Sequence, residues 1–188
     1  MKRIGLIGES ENDRDSLKKL LEKKYGDRVQ FIPMLKRIEG YQLDTEKTLF
    51  ILEEEYLKRK PDAIVFQRDL DAHEGNLAKL KERNEYFDQS NKHVSGSGLF
   101  LLHIHEIEAL ILADLDGFNK RYAVSVSFTG NPMYQDNPKE WLKSKSGRNG
   151  YEPKHCAVLF ENLDFDRLRQ RVRYFDTFIN QFDQLLTA

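Results

Sequence analysis

A single cysteine in 188 residues, Cys156, leaves no partner for a disulfide and no thiolate set for a zinc site. That points to a reducing compartment, and the expectation is a cytoplasmic protein. No apolar run of roughly 18 residues occurs, and the opening run Ile4-Gly5-Leu6-Ile7-Gly8 is too short for the core of a signal peptide. No membrane partner is therefore expected. An excess of one charge is also missing: 30 Lys and Arg stand against 31 Asp and Glu, for a net charge of -1. A chain so balanced has no global field to attract a polyanion, and any nucleic-acid contact must rest on a local patch. The P-loop pattern G-x-x-x-x-G-K-[ST] is absent, so any ATP dependence has to come from another protein. Internal repeats and low-complexity tracts are absent too, and the length suits one domain over residues 1–188.

What is present is a succession of short apolar runs that stop at carboxylates. Ala63-Ile64-Val65-Phe66 reads as a strand buried on both faces of a parallel sheet, and it runs through Gln67-Arg68 into Asp69-Leu70-Asp71. In an open α/β sheet the carboxyl ends of the strands are where ligands bind. Residues two apart in an extended segment point to one side, which would let Asp69 and Asp71 face one hard cation. Arg3–Gly8 is a first strand, followed by Glu9-Ser10-Glu11-Asn12-Asp13 and a helix over 16–24 with Leu17, Leu20 and Leu21 as its apolar stripe. Glu9 then lies at the same edge as Asp69, while Asn12 or Asp13 suits a helix cap.

Val29–Leu35 is a second strand, and its Pro33 favours an edge position or an early bend. A helix from Asp44 or Thr45 to about Lys60 follows, with Glu53-Glu54-Glu55 as a solvated face. A charged helix is expected over 75–88 and a mobile connection over 89–98. Leu99–His105 is the fourth strand, again ending in acids, Glu106 and Glu108. Continued strand alternation would put these two on one side, whereas an early helix start would splay them by about 200°. His103 and His105 are read first as packing residues. Residues 129–150 form a long Gly-, Asn- and Pro-containing loop with one short helix. Lys139, Lys143, Lys145, Arg148 and Lys154 make it and its flank the most basic part of the chain. With Trp141 and Tyr151 among them, these residues suit a phosphate backbone and stacked bases, or else a loop plugged by a buried Trp141. Two helices, 155–162 and 164 to about 186, close the chain.

One glutamate after the first strand and D-x-D after the third resemble the Toprim signature. H-E-I-E-A-L-I-L-A-D at 105–114, P-K-E-W-L at 138–142 and Y-E-P-K at 151–154 resemble landmarks of a small bacterial Toprim-like family known as domain of unknown function 4276. This likeness runs along almost the whole chain, with Ser10 where many Toprim proteins have glycine. It implies kinship with the overcoming-lysogenization-defect nucleases and a link to phage defence or DNA processing. The implied fold is a mainly parallel four-stranded α/β sheet flanked by helices, with a core over 1–116 and a basic loop and helical extension over 117–188.

The implied activity is a Mg2+- or Mn2+-dependent endonuclease acting on DNA, or on RNA, with a partner ATPase. Carried over by position, Glu9, Asp13, Asp69, Asp71, Glu106 and Glu108 are the metal ligands. Glu9, Asp69, Asp71 and Lys154 are the catalytic set, and Lys139, Lys143, Arg148 and Lys154 contact nucleic acid. Two other classes remain open: a Toprim-fold interaction subunit without turnover, and a receiver-like signalling domain, in which Glu106 and Glu108 have no role.

Overall fold

Four β-prone runs form the strands β1 (Lys2–Ile7), β2 (Val29–Pro33), β3 (Ala63–Asp69) and β4 (Gly98–His103). They pair in the order β2-β1-β3-β4, every pair parallel, in a computed structural model that describes residues 1–187. Parallel pairing needs a crossover for each step, and α1 (Glu11–Tyr25), α2 (Glu46–Arg59) and α3 (Leu77–His93) supply them. Alternate strand residues feed two apolar layers. Ile4, Leu6, Val65 and Leu101 meet α1 and the C-terminal helices, whereas Ile7, Ile64, Phe66 and Phe100 pack on the other face with Tyr86 and Phe87 of α3. The sheet is thus covered on both sides, as the unbroken apolar strands require. Pro33 ends β2, an outer strand, where its missing N–H breaks no central ladder.

Several boundaries differ from the sequence reading. β3 ends at Asp69, and Asp71, expected at the same strand end, lies two residues beyond it. The polar stretch 89–93, read as a mobile connection, is the end of α3. It lacks an apolar period because its contacts are polar: Asn91 Oδ1 accepts from the Gly98 N–H at 2.8 Å, and His93 Nδ1 lies 2.9 Å from Glu53. β4 stops at His103, two residues early, and the chain turns through His105 at φ 60°.

After β4 the chain forms the helices α4 (Ala109–Ala113), α5 (Asp116–Tyr122), α6 (Pro138–Lys145), α7 (Cys156–Asn162), α8 (Phe165–Arg171) and α9 (Arg173–Thr187), with an irregular segment between α5 and α6. The expected final helix is broken at buried Val172, which is extended at φ -127° and ψ 95°. At the break the Arg171 guanidinium donates to the carbonyls of Ala113 and Phe128, both at 2.8 Å, and so ties the end of α4 to the loop at 128–130.

α9 carries Phe175, Phe178, Ile179 and Phe182 into the core, and the Phe182 ring lies 5.0 Å from Tyr25 and 6.3 Å from Phe31. The helical extension therefore shares its core with the sheet. Phe182→Ala is expected to cost about 3–5 kcal/mol of unfolding free energy, the range for an aromatic deleted from a packed core. Chemical denaturation followed by circular dichroism measures it, and a loss under about 1 kcal/mol would show that α9 does not share that core.

Candidate functional site

The carboxyl edge of the sheet opens into a cleft of about 650 Å³, within the range of ligand sites. Glu9 comes from the end of β1, Asp13 from the first turn of α1, Asp69 from the end of β3 and Glu108 from the turn before α4. Ser10 caps α1: its Oγ accepts from the Asp13 N–H at 3.2 Å, and Asp13 Oδ2 accepts from the Ser10 N–H at 2.8 Å. Asp13 is therefore both a capping partner and a cleft residue.

Each acid is held differently. Glu9 Oε1 accepts from Arg68 Nε at 2.8 Å and from the Asp69 N–H at 3.2 Å. Glu108 is 2% exposed; its Oε1 accepts from the Tyr151 hydroxyl at 3.0 Å, and its Oε2 is buried with no partner. Asp69 is gripped only through its backbone, whose carbonyl accepts from Arg83 Nε at 2.8 Å. Its carboxylate makes no hydrogen bond or ion pair among the described residues. Burial, and then the charges of Asp13, Glu9, Glu108 and Asp71, push the Asp69 carboxyl well above its usual range. Burial likewise raises Asp13, and pushes Glu108 up to about 7 against the opposing charge of Lys139. An uncompensated anionic site of this kind favours a proton or a cation.

Six acids were expected in one group, but the structure divides them. Asp71 has φ 55°, so strand alternation ends before it; its Oδ2 accepts from Arg83 Nη2 at 2.9 Å, and it lines a smaller pocket of about 180 Å³ with His105, Glu106 and Asn137. Glu106 accepts from the Lys139 N–H at 3.0 Å and from its Nζ at 3.1 Å. Because β4 ends at His103, the alternation that would pair Glu106 with Glu108 fails, and Glu108 is the one that enters the main cleft. His103 is 1% exposed and burial lowers it to about 3, which keeps it a neutral packing residue.

The basic residues are corrected as well. Lys154 Nζ pairs with Glu152 at 2.7 Å and is not part of the cleft lining, so the structure does not bring it to the carboxylates. Lys139 is the lysine that meets them; burial would lower its pKa, but Glu108 and Glu106 outweigh that and raise it. Lys143 sits in an exposed pair with Glu140 at 2.6 Å, and Arg148 is exposed; neither lines the cleft. Trp141 packs edge-on against Phe128 at 5.6 Å, and Tyr151 is buried. Arg68 and Arg83 escaped the sequence reading, although for Arg68 a cation inside an otherwise apolar strand, next to Asp69, is itself a signal of buried ion pairing. Arg68 is 3% exposed and also reaches Asp44 at 2.7 Å; burial would lower its pKa, but Asp44 and Glu9 hold it above the usual value.

Among the described residues no three His, Cys, Asp or Glu side chains are arranged to hold a metal ion as they stand. Arg68, Arg83 and Lys139 instead occupy Glu9, Asp71 and Glu106. The fit to a hard divalent cation lies in the donor set: four carboxylates, one of them unpaired and another with a buried unpartnered oxygen. No family model, no curated protein and no solved structure matches the chain.

A folded-state pKa raised from 4.5 to about 7 means that Glu108 contributes stability fully below about pH 4.5 and loses it as the pH climbs through 7. Glu108→Gln keeps the shape and the acceptor for Tyr151 but cannot ionise. In metal-free buffer its melting temperature is expected to fall less than that of the wild type between about pH 5 and pH 8. Parallel losses in the two proteins would remove Glu108 as the source.

Proposed function

We propose that the protein is a Mg2+- or Mn2+-dependent phosphodiester hydrolase of Toprim type, acting on DNA in preference to RNA. Its setting is phage defence or DNA processing in the cytoplasm, with ATP-driven steps supplied by a partner ATPase. The observation that carries this reading is the convergence of Glu9, Asp13, Asp69 and Glu108, from two parallel strand ends, the first turn of α1 and the turn before α4, on a single cleft where Asp69 remains unpaired. Glu9, Asp13, Asp69 and Glu108 are the residues that would hold the ion. When bound it would activate water and offset the charge of the leaving oxygen.

The chain's own groups have separable roles. Lys139 places a positive charge at the cleft, where it stabilises a phosphate gaining negative charge. Arg68 fixes Glu9 against β3, and Arg83 fixes the backbone of Asp69 and the side chain of Asp71. These arginines orient the acids, as outer partners orient ligands in metal sites. A second reading, an interaction subunit without turnover, is favoured by the occupation of Glu9, Asp71 and Glu106 by cations of the chain itself.

Asp69→Asn is expected to abolish Mg2+ and Mn2+ binding in calorimetry while leaving the circular dichroism spectrum unchanged. Nicking of supercoiled plasmid should fall by more than the roughly 10–100-fold that loss of an outer partner causes. Wild type that binds metal but cleaves neither DNA nor structured RNA, with or without the ATPase, decides for the interaction subunit. Equal cleavage by Asp69→Asn would refute the assigned site.

A further inference from the structure

The cleft has a second wall with a different chemistry. The segment after β2 contributes Lys36, Arg37 and Tyr41 to the same lining as Glu9 and Asp69. Lys36 and Arg37 are exposed, and neither side chain enters a hydrogen bond or ion pair among the described residues. Tyr41 is 78% exposed, although a tyrosine ordinarily hides its ring. Two adjacent cations free of internal partners and an uncovered aromatic ring, beside an acidic floor, present both charge and a ring face to an external partner.

The segment is held in place. Arg14, 3% exposed, donates to the Gly8 carbonyl at 3.2 Å and to the Lys36 carbonyl at 3.3 Å, which ties the loop to the end of β1. Buried Leu35 turns the chain at φ 50°, a region that costs a branched side chain energy and persists only where the surroundings enforce it. At Gly40 the loop comes so close to Glu9 that a Cβ would stand 2.9 Å from its Oε2. The loop is therefore a built wall of the cleft, one side chain away from the carboxylates.

We infer that the segment Lys36–Tyr41 is the docking surface for a single-stranded nucleic acid, with Lys36 and Arg37 on its phosphates and Tyr41 stacked against a base. The identification rests on the hydrolase reading for the placing of a phosphodiester beside Asp69, whereas the loop's own chemistry specifies the strand. Cations that track a backbone, interleaved with an aromatic platform, are the elements of sequence-tolerant single-strand binding. A duplex keeps its bases stacked inside and offers Tyr41 no face. Glu11 and Glu39 are the acids of the rim, and they confine the phosphates to the Lys36–Arg37 side.

The test is fluorescence anisotropy in EDTA, where no cleavage occurs, with a short labelled DNA strand, the same strand as RNA, the matching duplex and a mononucleotide as competitor. Wild type should bind both single strands more tightly than the duplex, and the DNA and RNA arms decide which backbone the site prefers. The double variant Lys36→Ala with Arg37→Ala should flatten the plot of log affinity against log salt by about 1.4, since each single-strand phosphate contact contributes roughly 0.7. Tyr41→Ala should weaken strand binding about ten-fold, and Tyr41→Trp should restore it.

All these side chains are exposed, so the variants fold. Wild-type affinity in both variants, no binding of either single strand, equal binding of duplex, or an affinity no better than that of the mononucleotide overturns the assignment. Strand binding that depends on the loop, in a protein that cleaves nothing, retires the hydrolase reading and leaves this one standing.

Discussion

Like charges gathered at one sheet edge are the constraint from which much of the structure follows. Parallel strands in the order β2-β1-β3-β4 send every carboxyl end the same way, so Glu9 and Asp69 necessarily crowd, and α1 and the turn before α4 add Asp13 and Glu108. Repulsion between partly buried carboxylates is costly unless cations or protons offset it. The fold answers with buried Arg68 beneath Glu9 and Asp44, Arg83 beneath Asp71, and Lys139 against Glu106. Arg68 is also stacked 4.6 Å from the Tyr86 ring, which keeps its guanidinium fixed while it serves two acids. Asp69 is left out of this scheme, and that omission makes its charge the one most in need of a proton or an external cation.

The polar layer behind Asp69 sharpens the point. Gln67 Nε2, His103 Nδ1 and the Tyr174 hydroxyl are buried without partners. Each such group costs on the order of 1–3 kcal/mol relative to a satisfied one. His103 faces Asp69 across the β3–β4 ladder, yet burial keeps its imidazole neutral, so it brings no charge to the aspartate. Tyr174 is pushed up by burial and by the charge of Asp69, and it too stays neutral. The chain has placed apolar-like polar groups, rather than counter-ions, beneath its most frustrated carboxylate. A core shaped only for stability would have put a cation or an alkyl side chain there.

What the sequence disclosed follows from which forces are local. Continuous apolar runs at 4–8, 63–66 and 99–102 made the parallel sheet legible, because a strand buried on both faces needs no polar alternation. Leu17, Leu20 and Leu21 did the same for α1. The end of α3 was not legible, because Asn91 and His93 are held by polar contacts with Gly98 and Glu53 rather than by an apolar period. The sorting of the acids was legible only in part. Glu9 and Asp69 followed from strand ends, but the fates of Asp71 and Glu106 depended on backbone turns at φ 55° and at His105 that no side-chain pattern announces. The basic loop misled because charge density along the chain says nothing about direction: Lys143 and Lys154 found local acids at 2.6 and 2.7 Å, and only Lys139 turned inward.

Lys139 turned inward for a reason that joins the C-terminal extension to the sheet edge. Asn137 takes the left-handed region at φ 54° and Pro138 starts α6, so the Lys139 N–H lies among the free donors of the first helical turn. Glu106 accepts from that N–H and from the same residue's Nζ, which locks the lysine over the carboxylates. Fifteen positions after Lys139, Lys154 has no comparable anchor among the described residues, and its near neighbour Glu152 is exposed and close. Tyr151 meanwhile reaches back to Glu108, and Arg171 holds the end of α4. The extension thus completes the cleft: the sheet delivers Glu9 and Asp69, and the helices after it bring Lys139 to them and fix Glu108 through Tyr151.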